Sequence, residues 1–250
     1  MRLATSNVGV TFGRRTALEA INVEFREGVT AIFGANGAGK STLLEVLANV
    51  RPPRTGKVDF PGVAEIHPRS GRIDAYRKVV AWLPQEFVPF PRLTVREHVS
   101  YAGWLKGMSK VEAWNSAPSA IDQVGLSDLA DRKVKELSGG QKRRVGLAGA
   151  LVHDAQVVLL DEPTAGLDPV QRDRLRGVLT GIAETRTVLV SSHDTERADT
   201  LFDRAVVLRS GSVTFQGTMT EFLQSADSVD VDPQKRLIAA YLRWAGTEEG

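Results

Sequence analysis

The 250 residues (27.2 kDa) suit one large domain or a compact pair, and 42% hydrophobic with 25% charged residues can bury a substantial core. The absence of cysteine excludes disulfides, cysteine zinc sites, iron–sulfur clusters and thiol nucleophiles together, and fits a reducing cytoplasm. The 32 basic and 30 acidic residues leave a net charge of +2, which is no signature of a nucleic-acid binder, and the longest apolar run, six residues at 237–242, is far short of the roughly 18 of a membrane-spanning helix.

From the amino end, residues 1–10 offer no apolar core for a secretory signal. Residues 2–10 and 20–25 alternate enough to read as strands, and 29–33 is a short buried strand. A helix follows over 40–50, stopped before Pro52 and Pro53. Residues 58–60 and 79–83 read as strands around a loop rich in Pro, Gly and Arg. From Val95 to about Gly125 the pattern is helical, with a break expected at Pro118. Strands at 157–160, 187–190 and 205–208 then alternate with helices after Ser138, Asp168 and Asp194, and a last helix covers about 233–244. That alternation predicts an α/β fold with a largely parallel sheet. The middle helical stretch reads as an insertion, and the N-terminal strands as a separate antiparallel layer.

Two segments carry chemistry that the residues themselves explain. Gly34-Ala35-Asn36-Gly37-Ala38-Gly39-Lys40-Ser41, placed between a strand and a helix, satisfies G-x-x-x-x-G-K-[ST] in full. Small residues let successive backbone N–H groups turn inward around a polyphosphate. Lys40 then reaches the outer phosphates, Ser41 offers a hydroxyl to Mg²⁺, and the positive helix end faces the same anion. The apolar strand Val157-Val158-Leu159-Leu160 ends in Asp161-Glu162. Asp161 suits the Mg²⁺-holding role of a strand-end carboxylate, and Glu162 the role of a general base on an attacking water.

Leu137-Ser138-Gly139-Gly140-Gln141 places a good N-cap and two glycines before a helix, a second anion-binding helix end about 100 residues after the first. With the phosphate loop upstream and Asp161-Glu162 downstream, the chain resembles the ATP-binding-cassette family, whose signature is L-S-G-G-Q. The resemblance covers roughly residues 1–220. It implies a P-loop sheet core with an N-terminal antiparallel β layer, a helical signature subdomain at about 86–152, and a C-terminal helical tail at 221–250. It further implies ATP and Mg²⁺ as cofactors, with ATP held by residues 34–42 including Thr42. Phe12 matches the aromatic that stacks on adenine, and Gln85 the glutamine that senses Mg²⁺ and couples to a membrane partner. Asp168, in Ala165-Gly166-Leu167-Asp168, falls in the D-loop, and His193 matches the switch histidine at the γ-phosphate. The signature residues Ser138, Gly139, Gly140 and Gln141 are expected to reach nucleotide on a second, head-to-tail copy.

The signature helix departs from the pattern, because Gly149 stands where arginine is common. Gly146 and Gly149 in its interior cost about 1 kcal/mol each against alanine, which points to a looser helical subdomain. The run Lys142-Arg143-Arg144 reads as a solvated helix face.

Within the family, the repair and chromosome-structure branches need long coiled coils or cysteine zinc modules, and translation factors usually fuse two cassettes. None of these fits, although a translation- or repair-associated ATPase and an importer subunit remain alternatives. The segments 92–98 and 101–108 look like the drug- and antibiotic-exporter branch. The expectation is a separate ATPase subunit, paired with a second cassette and bound to a permease on the cytoplasmic face of the membrane, with no nucleic-acid contact.

Overall fold

The computed structural model describes residues 2–70, 73–165, 167–192, 201–226 and 232–246. Two sheets enclose the first helix. The smaller is antiparallel: β1 (Arg2–Phe12) pairs with β2 (Arg15–Ile21), β3 (Glu24–Arg26) and β5 (Thr55–Phe60), and β5 pairs with β6 (Ala64–Ile66). The larger has the order β11 (Ser212–Thr218), β10 (Arg204–Arg209), β4 (Gly28–Phe33), β9 (Thr187–Ser192), β8 (Val157–Asp161), β7 (Val80–Leu83). It is parallel except at its β11 edge. The expected antiparallel layer and parallel core are both present.

The large sheet is buried on both faces, and the period of two sorts its side chains. Ile32, Leu159, Leu189 and Val206 face α1 (Lys40–Leu47) and the antiparallel layer, where they pack with Leu3, Phe25, Leu43 and Leu47. Ala31, Phe33, Leu160, Val190 and Val207 face the other way. They join a core built with α5 (Gly139–Leu151), α6 (Pro169–Ala183), α7 (Met219–Gln224) and α8 (Pro233–Ala245). The terminal helix therefore packs on the body: Leu237 and Ala240 are buried, Tyr241 meets Phe33 edge-on, and Thr214 donates to the Trp244 carbonyl.

Strands β7 and β8 are parallel neighbours joined by α3 (Val95–Leu105), α4 (Lys110–Gln123) and α5, so the helical stretch is an insertion. Its break is not at Pro118. That residue lies inside α4, where the Trp114 carbonyl freed by the missing N–H accepts from Arg96 Nη2 at 3.5 Å. The Arg96 guanidinium also lies 4.1 Å from the Trp114 ring centroid. The real break follows Leu105, where Gly107 takes φ 96° and Ser109 caps α4 with Glu112. Short elements without strong periodicity, β6, α2 (Asp74–Val79), β11 and α7, were not expected from sequence. The strand expected over 2–10 lies within β1, but the one expected over 20–25 was misplaced, since those residues hold the end of β2 and most of β3.

Gly146 and Gly149 have a packing reason. A Cβ at Gly146 would lie 2.7 Å from Leu83 and 2.8 Å from Phe87, and one at Gly149 would lie 3.1 Å from the Ala102 Cβ. The glycines bring α5 close to β7 and α3 rather than loosening it. The basic run is not a solvated face either: Arg144 is buried and Arg143 half-buried.

His98, on α3 between Phe87 and Phe90, has its pKa pushed down to about 4 by burial. The unfolded chain takes up this proton near pH 6.5 and the folded chain only near 4, so stability present above 6.5 is lost as pH falls toward 4. The lost stability is up to about 3 kcal/mol. Thermal melts from pH 7 to 4.5 at fixed ionic strength should therefore fall more steeply for the native chain than for His98→Leu. Equal slopes would contradict this.

Candidate nucleotide site

The parallel register places the carboxyl ends of four strands together. Phe33 pairs with Ser192, Asp161 with Ser191, and Leu83 with Leu160, so the loops leaving β4, β7 and β8 share one rim. The loop from β4 into α1 is held by its glycines. Gly34 has φ 152° and Gly39 φ 108°, and a Cβ would strike the Leu208 carbonyl at 2.5 Å or the Ala17 carbonyl at 2.7 Å respectively. The first turn of α1 has no acidic residue and no side-chain cap, which leaves its N–H groups and positive end free for an anion.

Phe12, Arg15, Asn36, Gly37, Gly39, Lys40, Ser41, Thr42, Gln85 and Glu162 line one open cleft of 340 Å³, with Gly34, Ala35 and Ala38 in the same loop. Most sequence-predicted nucleotide residues thus converge. Lys40 Nζ donates to the Gly34 carbonyl at 2.7 Å and the Ala35 carbonyl at 3.2 Å, and lies 3.9 Å from Glu162 Oε1. Burial lowers its pKa, while the Glu162 and Asp161 charges oppose that shift. Phe12 is 43% exposed, and the Arg51 guanidinium sits 4.5 Å from its ring centroid, held by Glu45 at 2.6 Å.

Ser191 organises the acidic pair. Its hydroxyl donates to Asp161 Oδ1 at 2.5 Å and accepts from the Glu162 N–H at 2.8 Å. Glu162 is held at φ 47°, a left-handed conformation that is uncommon outside glycine and is over-represented at functional sites. The sequence reading missed Ser191 and Arg15. Ser191 lies two residues before His193 with nothing in the sequence to single it out, and Arg15 reaches the loop from another sheet.

Ser138, Gly139, Gly140, Gln141 and Asp168 do not line this cleft. Ser138 caps α5 in a reciprocal pair with Gln141, as expected, and the Asp168 side chain accepts from the Gln171 N–H. His193 and Gly166 lie outside the described residues. Among the described residues no cluster of His, Cys, Asp or Glu could hold a metal ion by itself. The oxygens of Asp161, Ser41 and Gln85 suit Mg²⁺ that brings phosphate oxygens as further ligands.

A phosphate loop entering a helix on a doubly covered parallel sheet, with an antiparallel layer and an inserted helical unit, defines the α/β fold of an ABC ATPase. Residues 18–165, more than half of the chain, match the model of the ABC transporter family. The chain belongs to that family, as its ATP-binding cassette. It is 40% identical over 83% of its length to the cobalt import ATP-binding protein CbiO of Rhodobacter capsulatus, covering 75% of that protein. It is 31% identical over 88% of its length to the linearmycin resistance ATP-binding protein LnrL of Bacillus subtilis, covering 70% of it. To the human retinal-specific phospholipid-transporting ATPase ABCA4 it is 37% identical over 82% of its length, but it spans only 9% of that protein. Among solved structures, the dimeric bacterial ABC transporter cassette MJ0796 superposes with a TM-score of 0.77 at 27% identity, over 87% of this chain and 98% of that one.

Proposed function

We propose that the chain is the ATP-hydrolysing subunit of an export transporter, working as a head-to-tail pair bound to a separate membrane-spanning partner. The observation that carries this reading is the division of the site. Lys40, Glu162, Gln85 and the phosphate loop share one cleft, while the capped signature helix end lies outside it, and in this reading a second copy brings that end a phosphate.

In this reading Phe12 stacks on adenine with Arg51 behind it, and the loop amides with Lys40 hold the phosphates. Ser41, Gln85 and Asp161 would hold Mg²⁺, which would supply charge neutralisation at the phosphates. The Glu162 carboxylate accepts a proton from the attacking water. His193 is assigned to the γ-phosphate. Ser138 and Gly139 of the second copy close over the nucleotide, so hydrolysis removes the bridge and opens the pair. Phe12→Ala should weaken MgATP binding about tenfold, since base–aromatic stacking is worth about 1–3 kcal/mol; titration calorimetry showing native affinity would refute the assignment.

No described helix is long and apolar enough to cross a membrane. The loop after Gln85 exposes Phe90 and the inserted helices expose Tyr101, Trp104 and Trp114, with a 410 Å³ groove between the last three. An apolar patch of this kind suits a protein partner, here the permease on the cytoplasmic face. Segments 92–98 and 101–108, on this surface, support export, as does the resemblance to a resistance ATPase. The similarity to a cobalt import protein supports the second reading, an importer subunit. Transport assays decide between them in inside-out vesicles carrying the chain and its permease: export predicts MgATP-driven uptake of the substrate, import its absence.

A further inference from the structure

Arg143 joins three parts of the molecule that the sequence keeps apart. Its Nη1 donates to the carbonyls of Pro84 at 2.9 Å and Gln85 at 2.7 Å. Its Nη2 donates to the carbonyls of Asp161 at 2.5 Å and Glu162 at 3.2 Å. One guanidinium thus bridges the loop after β7 and the end of β8, while its own backbone sits in α5, about 7 Å along the helix axis from Ser138. The next residue has different partners: Arg144 Nη1 donates to the carbonyls of Val124 and Gly125 at the end of α4. Helix α5 is therefore fastened to the inserted helices by Arg144 and to the catalytic rim by Arg143.

The peptide units at Glu162 show what this fastening does. Glu162 occupies a left-handed conformation that its side chain disfavours. Its N–H is held by Ser191 and its carbonyl by Arg143. A fork of five donors fixed in one plane suits two pairs of carbonyls at once, which a point-charge ammonium does not match.

We propose that Arg143 is a positioning residue that transmits closure between the two nucleotide sites of the pair. This rests on the head-to-tail reading above. The signature end of α5 meets nucleotide on the second copy, and Arg143 on the same helix sets the Gln85 and Glu162 carbonyls of its own copy. Docking of α5 on one nucleotide thereby aligns the carboxylate that acts on the other.

Arg143→Ala and Arg143→Lys in the full chain test this. The nucleotide-free chain comes first, read by amide hydrogen exchange. Peptides covering 84–88 and 161–165 should exchange faster in Arg143→Ala, with little change in the antiparallel layer. In steady-state hydrolysis kcat should fall about 100-fold, the cost of a displaced catalytic group, with a much smaller change in KM. The Hill coefficient should drop from about 2 toward about 1 as the sites uncouple. Arg143→Lys should recover part of kcat. Unchanged exchange, or faster exchange with native kcat and Hill coefficient, overturns the role of Arg143. A native chain with no turnover, or Glu162→Gln chains that stay single with MgATP, overturns the paired-site reading and the transmission with it.

Discussion

Glu162→Gln should lower ATP turnover by about 100- to 10,000-fold, the range that a positioned proton acceptor contributes, while MgATP binding stays near the native value. The amide keeps the size and the left-handed backbone that Ser191 and Arg143 hold. It loses the ability to take a proton from water. It also removes the negative charge 3.9 Å from Lys40 Nζ, so affinity for the anionic nucleotide should stay level or rise slightly. Single-turnover hydrolysis and equilibrium binding on the same preparation separate the two quantities. Turnover at the native rate would remove Glu162 from the role of base.

The second large effect should come from mixing two inactive chains. Ser138→Arg fills the signature end of α5 with a long charged side chain while leaving its own phosphate loop intact. Lys40→Ala removes the ammonium that the loop carbonyls and Glu162 surround, and with it the fixed charge on the outer phosphates. Each chain alone should be without measurable turnover. A head-to-tail pair of the two holds one site with a native loop facing a native signature, and one site damaged on both sides. Equal amounts should therefore regain less than the roughly one quarter of native activity that independent sites would give, since about half of random pairs are mixed with one good site of two, and the undocked Ser138→Arg helix end leaves Glu162 of that good site poorly aligned by Arg143. No recovery at any ratio would mean that both sites must be intact for either to fire.

How much of this was visible in the sequence depended on how local the chemistry is. The phosphate loop, the strand ending in Asp161-Glu162 and the Ser138 cap are consecutive residues whose spacing carries the geometry, and each lies where expected. The two-layer sheet core followed from strands alternating with helices. What escaped is tertiary. Pro118 reads as a helix breaker until Arg96, from another helix, takes up the orphaned Trp114 carbonyl. Gly146 reads as a weak point until Leu83 and Phe87 are found against its missing side chain. Arg143 looked like part of a solvated run because its four acceptors lie 18 to 59 residues away in the chain. Ser191 joins Asp161 and Glu162 from the neighbouring strand, a register that no single-strand pattern contains.

In the proposed mechanism a complete nucleotide site takes two copies of the chain. Charge-assisted hydrogen bonds to phosphate are roughly twice as strong as neutral ones, and donors from the second copy would add several at each of two nucleotides. Sedimentation velocity of Glu162→Gln at micromolar concentration, with and without saturating MgATP, reads this directly. A single species near 27.2 kDa is expected without nucleotide and one of twice that mass with it, and Ser138→Arg in the same background should hold the chain at the smaller mass. A Glu162→Gln chain that binds MgATP and remains at the smaller mass would contradict it.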